Sequence, residues 1–148
     1  MFPAEFDDSV WVNRQQDSLQ LLIQDAVENH FKDLSQMEQD LSHLFQHIRF
    51  YFPETPMPHV IGLTNNVDYQ IKTVFADSLL LLSLDTFLGQ DHPLYEGIPN
   101  YIRKEMDQSF LTAQVVDKFA ETQLKGPQDR TFLAQMVWHG KKLYLQDR

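Results

Sequence analysis

Two histidines four residues apart, His43 and His47, are the closest this sequence comes to a metal-binding pair. On a helix that spacing turns both rings to one side, where they could share an ion. The zinc-protease pattern H-E-x-x-H uses the same spacing, with a glutamate after the first histidine to activate the metal-bound water. Here that place holds Leu44, a core-stripe residue. The pair reads first as two polar residues on a solvated helix face.

The densest polar cluster is Asp85, Asp91, His92, Tyr95 and Glu96, within twelve residues. Loops at strand ends often carry function because they escape packing constraints. Asp and His offer an acid–base pair, but no second half of a triad is recognisable elsewhere. Asp85 is equally placed to cap a short helix through the amides of Phe87 and Leu88. The structural reading is preferred, with Gly89 supplying a backbone angle that other residues resist. His139, in Gln135-Met136-Val137-Trp138-His139-Gly140, reads as a satisfied polar group or a surface residue rather than a ligand. Gly140 inside a helix costs about 1 kcal/mol relative to alanine, which points to close packing against another element, such as a sheet.

Other signatures are missing. The sequence has no G-x-S-x-G elbow, P-loop or dinucleotide fingerprint, and its five glycines make phosphate-cradling loops improbable. No aromatic residues interleave with basic ones to stack nucleic-acid bases. Without cysteine there is no disulfide framework, thiol nucleophile or thiolate metal site.

The elements that must position these residues follow from periodicity. Between Asp17 and Phe50 apolar residues recur in steps of three and four, the stripe of a long amphipathic helix. Asp17 or Ser18 caps its start, and Pro53, Pro56 and Pro58 forbid its continuation. As one rod of about 30 residues it would be roughly 45 Å long; the alternative is a break near Ser35. His59–Thr64 reads as a short strand, Tyr69–Ala76 alternates as a half-buried strand, and Leu79–Leu84 reads as a strand buried on both faces. A small, mainly antiparallel sheet of about three strands is expected, with a hairpin turning at Asp77. Asp85–Gly97 reads as loop or short helix. Pro99 opens a helix with the stripe Tyr101, Ile102, Met106 and Phe110, and Thr112 caps another that Gly126-Pro127 ends. Asp129 or Thr131 opens the last helix, with Phe132, Leu133, Met136, Val137, Leu143 and Tyr144 along one side. It runs to Asp147-Arg148 with nothing to stop it, so a fragment of a longer chain is expected.

At 148 residues a single domain is expected, with enough core to stand without staples. The net charge of −9 argues against nucleic acid or an anionic lipid surface as main partner. Residues 1–58 carry a net −7 and residues 98–148 a net +2. That polarity means either two solvated faces of opposite sign or a surface that docks a partner. The longest apolar run, Leu79–Leu82, is far too short to cross a bilayer, and the N-terminus lacks the basic and apolar regions of a signal peptide. Composition thus describes a soluble acidic domain.

Two blocks, LLLLSLDTFLGQDHPLYEGIPNYIRKEM at 79–106 and TFLAQMVWHGKKLYLQD at 131–147, resemble the gliding motility lipoprotein GldB family of Bacteroidetes; FYFPETPMPHV at 50–60 fits as well. The likeness covers about residues 15 to 148, and L-D-x-F-L-G-x-D-x-P-L-Y is its most specific element. The family is similar to predicted zinc-dependent proteases of the zincin type, in which a long helix, a small sheet and further helices precede a helix bearing H-E-x-x-H. If the last helix corresponds to that one, Gln135 replaces the first histidine and Met136 the catalytic glutamate; only His139 matches a ligand. Methionine cannot act as a general base, and one glutamine with one histidine is a poor zinc site. The resemblance implies a zincin-like scaffold without its proteolytic chemistry, from a lipoprotein whose signal, lipid anchor and C-terminal tail lie outside this chain.

The expectation is therefore an α+β domain with its last helix packed beneath the sheet. Its implied function is a non-catalytic cell-envelope lipoprotein domain, supporting gliding and the associated secretion through contacts with envelope proteins. Zinc is not expected, and a membrane is reached only through the lipid anchor. Candidate binding residues are Asp85, Asp91, His92 and Tyr95 in the loop, with Gln135 and His139 lining a remnant cleft. The alternatives are a metallohydrolase with non-standard ligands drawn from His139, the His43/His47 pair or Asp91/His92, and a small-molecule module in the former cleft. The last of these is favoured by an apolar pocket beside His139. The oligomeric state stays open.

Overall fold

The structure is a computed structural model that describes residues 9, 12, 13, 16–76, 78–127 and 129–147. Helix α1 spans Ser18–His30, capped by the Asp17 carboxylate, which accepts the Leu19 amide at 3.0 Å. The expected long helix breaks after it. Phe31 turns into the core, and the Asp33 carboxylate accepts both the amide and the hydroxyl of Ser35, an alternative to helical hydrogen bonding that restarts the chain as a second helix. Helix α2 then runs over Ser35–Tyr51 and buries Met37, Leu41, Phe45 and Ile48 along one stripe.

Three strands follow: β1 (His59–Leu63), β2 (Thr73–Ala76) and β3 (Leu79–Ser83). Their order is β1-β3-β2, with β2 antiparallel and β1 parallel to β3. The sheet is therefore mixed, not mainly antiparallel. The hairpin forms as expected, although Asp77 at its turn lies outside the described residues. Its second strand inserts beside β1, because the leucine run of β3 has the most apolar surface to bury and takes the central place. Leu80 and Leu82 are fully buried on the inner face. The His59 amide donates to the Ser78 carbonyl at 2.7 Å. Parallel ladders alternate, so the N–H and C=O of Val60 and Gly62 point away from the sheet at its open edge.

The helix expected after Pro99 is a single turn, α3 (Asn100–Arg103). Met106 is buried beyond it, whereas Tyr101 and Phe110 are exposed. Helix α4 (Leu111–Gln123) begins without a Thr112 cap. Asp107 instead accepts the Ser109 amide and starts a tight turn that runs into the helix. Helix α4 ends at Gln123, three residues before Gly126. It packs on β2 and α2, with the Phe119 ring 5.4 Å from Phe52 and 5.8 Å from Phe75.

Helix α5 (Phe132–Gln146) is capped by Thr131, whose hydroxyl accepts the Ala134 amide, and Asp129 in turn holds Thr131. It packs against α4 rather than beneath the sheet. Lys142 reaches Asp117 at 2.9 Å and Glu121 at 2.8 Å and lies 5.4 Å over the Trp138 ring. Gln146 also bonds Asp117. The side of α5 that carries Trp138, Lys142, Leu145 and Gln146 is thus the half-buried one, and Leu133, Met136, Val137 and Leu143 are exposed. Gly140 correspondingly meets nothing: a Cβ added there would have no neighbour within 4 Å.

Candidate functional site

Asp85 sits in a tight turn, Leu84–Thr86, immediately after β3, and is wholly buried. It does not cap a helix through Phe87 and Leu88. Its Oδ2 instead accepts the amide of Val67 at 2.7 Å and that of Asn65 at 3.0 Å. Those amides flank Asn66, which, with Val67, adopts left-handed backbone angles, φ 61° and 56°. Asparagine tolerates that region, but for a β-branched valine it is strained. The strain persists because Asp85 draws both amides inward and Val67 packs against the core. Around them Asn65 bonds the carbonyl of Ile71 at 2.8 Å, and Gln20 of α1 bonds the Asn66 side chain. Burial pushes the Asp85 carboxyl up, and the Val67 and Asn65 amides pull back against it. Its other oxygen, Oδ1, is buried without a hydrogen-bond partner.

Tyr95 completes this arrangement from the other side. Its hydroxyl donates to the Asp85 backbone carbonyl and accepts the Leu88 amide, each at 2.8 Å. Burial holds the phenol well above its ordinary range. Gly89 has the expected positive angle, φ 101°, and its amide reaches the Met106 carbonyl. His92 caps the turn Pro93–Tyr95, its Nδ1 accepting the Leu94 amide at 3.3 Å, and its ring tilts against Tyr95. Burial, then the neighbouring His30, lowers the pKa of the imidazole. Asp91 is exposed and bonds the Gln90 side chain.

The structure therefore joins Asp85, Tyr95 and His92 in one constellation, with Asp91 at its surface. Gln135 and His139 belong to α5 instead. Gln135 is half-buried, while Met136 and His139 are exposed, with His139 edge-on to Trp138. Among the described residues no three His, Asp or Glu side chains gather in a metal-binding group. An apolar groove of about 500 Å³ does exist between α2, α4 and α5, but Leu44, Ile48, Val116 and Leu145 line it, not His139. Sequence reasoning missed Asn65 and Val67 as the partners of Asp85, and the left-handed Asn66 between them. The adjacent asparagines were a usable signal, since they favour left-handed turns.

The model of the gliding motility protein GldB family matches residues 1–148. The chain belongs to that family. Comparison with curated proteins and with solved structures gives no match. GldB membership makes this a gliding motility-related lipoprotein and suggests the cell envelope. Among the described residues no helix is long and apolar enough to cross a membrane. The GldB block at 79–106 is the one that builds the Asp85–Tyr95 constellation. Its aspartate and tyrosine hold backbone groups inside the protein, and its Asp91 and His92 lie nearer the surface.

Proposed function

We propose that this domain is non-catalytic and serves the gliding machinery and its associated secretion in the cell envelope by binding other envelope proteins. One observation carries the reading: in the most specific motif Asp85 Oδ2 and the Tyr95 hydroxyl are engaged in architecture. The Asp85 carboxylate and Tyr95 hydroxyl are buried against backbone amides, where neither reaches a substrate. A hydrolase needs a base beside an activated water, and if α5 corresponds to the metal-binding helix of the zincins, Met136 stands where that base would be. Zinc is accordingly no part of the function. Asp91 and His92, displayed by the rigid turn, are the contact residues of this reading.

Two arms test it. In a gliding bacterium whose own copy is replaced, a chain carrying Gln135→Ala and His139→Ala supports gliding, whereas Asp91→Ala with His92→Ala reduces it at unchanged protein level. Zinc titration by calorimetry shows no tight stoichiometric binding. One zinc per chain that is lost on His139→Ala overturns the proposal, as does loss of gliding in the first replacement.

A further inference from the structure

Within the GldB block two left-handed glycines bracket a short segment. Gly89 has φ 101° and Gly97 has φ 87°, and the turn Pro93–Tyr95 lies between them. The far end of the turn is fixed in the core, where Tyr95 is fully buried and its hydroxyl sits between the Asp85 carbonyl and the Leu88 amide. The near end is held by His92. Its Nδ1 accepts the Leu94 amide at 3.3 Å, and its carbonyl accepts the Tyr95 amide at 2.9 Å. The usual caps are hydroxyls, carboxylates and amides, which keep an acceptor oxygen across neutral and mildly acidic pH. An imidazole accepts only through a nitrogen that carries no proton, and the charged ring has no acceptor at all. A proton at Nδ1 would point straight at the Leu94 N–H.

The surroundings of the ring oppose its charge. Asp91 and Glu96 on the same segment are exposed, where solvent and salt screen them. Tyr95 is kept in its neutral form by burial. From α1, His30 lies within electrostatic reach of His92, and it also reaches Asp107 in the turn before α4. We propose that this turn is a proton-operated latch: uptake of one proton at His92 Nδ1 releases the Leu94 amide, and the segment between Gly89 and Gly97 opens about its buried Tyr95. Because the closed turn holds the imidazole below its ordinary value of 6.5, the open turn binds the proton first, and closure weakens as pH falls through that value. Asp91 rides on the segment, so the surface it presents near neutral pH is lost in mild acid. As regulation of a contact surface this rests on the reading that Asp91 and His92 meet a partner. The latch itself is measured in the chain alone, so its failure is separate from the outcome of the gliding replacements.

Proton–nitrogen NMR from about pH 8 to about pH 5 tests it. The Leu94 amide is expected to shift together with the His92 ring, at one shared midpoint below 6.5. Protection of the Tyr95 amide against exchange is expected to fall about fivefold across that midpoint, the factor a helix cap contributes, while the Leu88 amide keeps its protection. His92→Asn retains an acceptor that does not titrate and is expected to abolish both changes; His92→Asp serves the same purpose should the first variant fail to fold. A Leu94 amide that stays flat across the range overturns the proposal, as does one that titrates unchanged in His92→Asn. Equal loss of protection at Leu88 also overturns it, because the whole fold would then be loosening.

Discussion

The carboxylate of Asp85 lies 2.7 Å from the amide of Val67, eighteen residues earlier in the chain, and holds that valine at a left-handed φ of 56°. One buried acid thereby fixes the loop between β1 and β2 to the turn that follows β3. Asp85→Ala strands two inward-facing amides and is expected to destabilise the fold by about 2–4 kcal/mol. Asp85→Asn keeps an acceptor and costs less, about 1 kcal/mol. Urea denaturation measures both.

The pH dependence separates two acids with opposite signs. Burial raises the folded-state pKa of Asp85, so the folded protein binds its proton first. The cost of its charge is present in full above that raised value and is relieved as pH falls toward the unfolded value of about 3.9. Glu121 behaves oppositely: burial alone would raise it, but hydrogen bonds from Lys142 and Lys118 lower it on balance. Its contribution is present above about 4.3 and is lost as pH falls through the lowered value. Mild acidification is therefore expected to stabilise the unmodified chain relative to Asp85→Asn. In stronger acid α5 is expected to loosen from α4, with Trp138 fluorescence as the reporter.

Asn66 tests the backbone angle, because alanine and glycine both remove its bond to Gln20 and differ only in the conformations they allow. Asn66→Ala keeps a Cβ at φ 61° but loses asparagine's tolerance of the left-handed region, and is expected to cost about 1 kcal/mol. Asn66→Gly is expected to be near neutral by thermal melting. Equal losses would assign the effect to the bond with Gln20 instead.

Tyr95→Phe removes the hydroxyl that accepts the Leu88 amide. An amide stranded in the core costs about 1–3 kcal/mol. Hydrogen exchange at Leu88 is expected to speed up together with the fall in melting temperature.

Lys142→Met removes the ion pairs to Asp117 and Glu121 while keeping most of the packing. The partner carboxylates are about a third exposed, so the expected loss is only about 1 kcal/mol, and smaller in high salt.

What could be read in advance was local. Steps of three and four placed helix between Asp17 and Phe50, with the break near Ser35 only as the alternative to one long rod, and the leucine run placed β3. Strand order was not legible, because period two names the buried face of a strand and not its neighbour. The same limit governed α5: its stripe was visible, but amphipathicity does not say which side a neighbouring helix will take, and Lys142 drew its own side inward. Asp85 was legible as a cap for Phe87 and Leu88 or a member of a polar loop cluster, not as a buried acid. Its partners at Asn65 and Val67 were out of reach, since the contact closes a loop of about twenty residues that only tertiary packing holds.

The open edge of β1 is shorter than it looks. Only Val60 and Gly62 present outward N–H and C=O groups, and the next position in that phase is Pro58, which has no N–H to give. A strand from another chain would find two outward-facing residues, where one edge of a segment of roughly six or seven residues that seeds cross-β stacking offers about three or four. Proline thus makes the neutral, apolar run His59–Leu63 a poor nucleus for fibres, a protection that natural sheets more often obtain from charge.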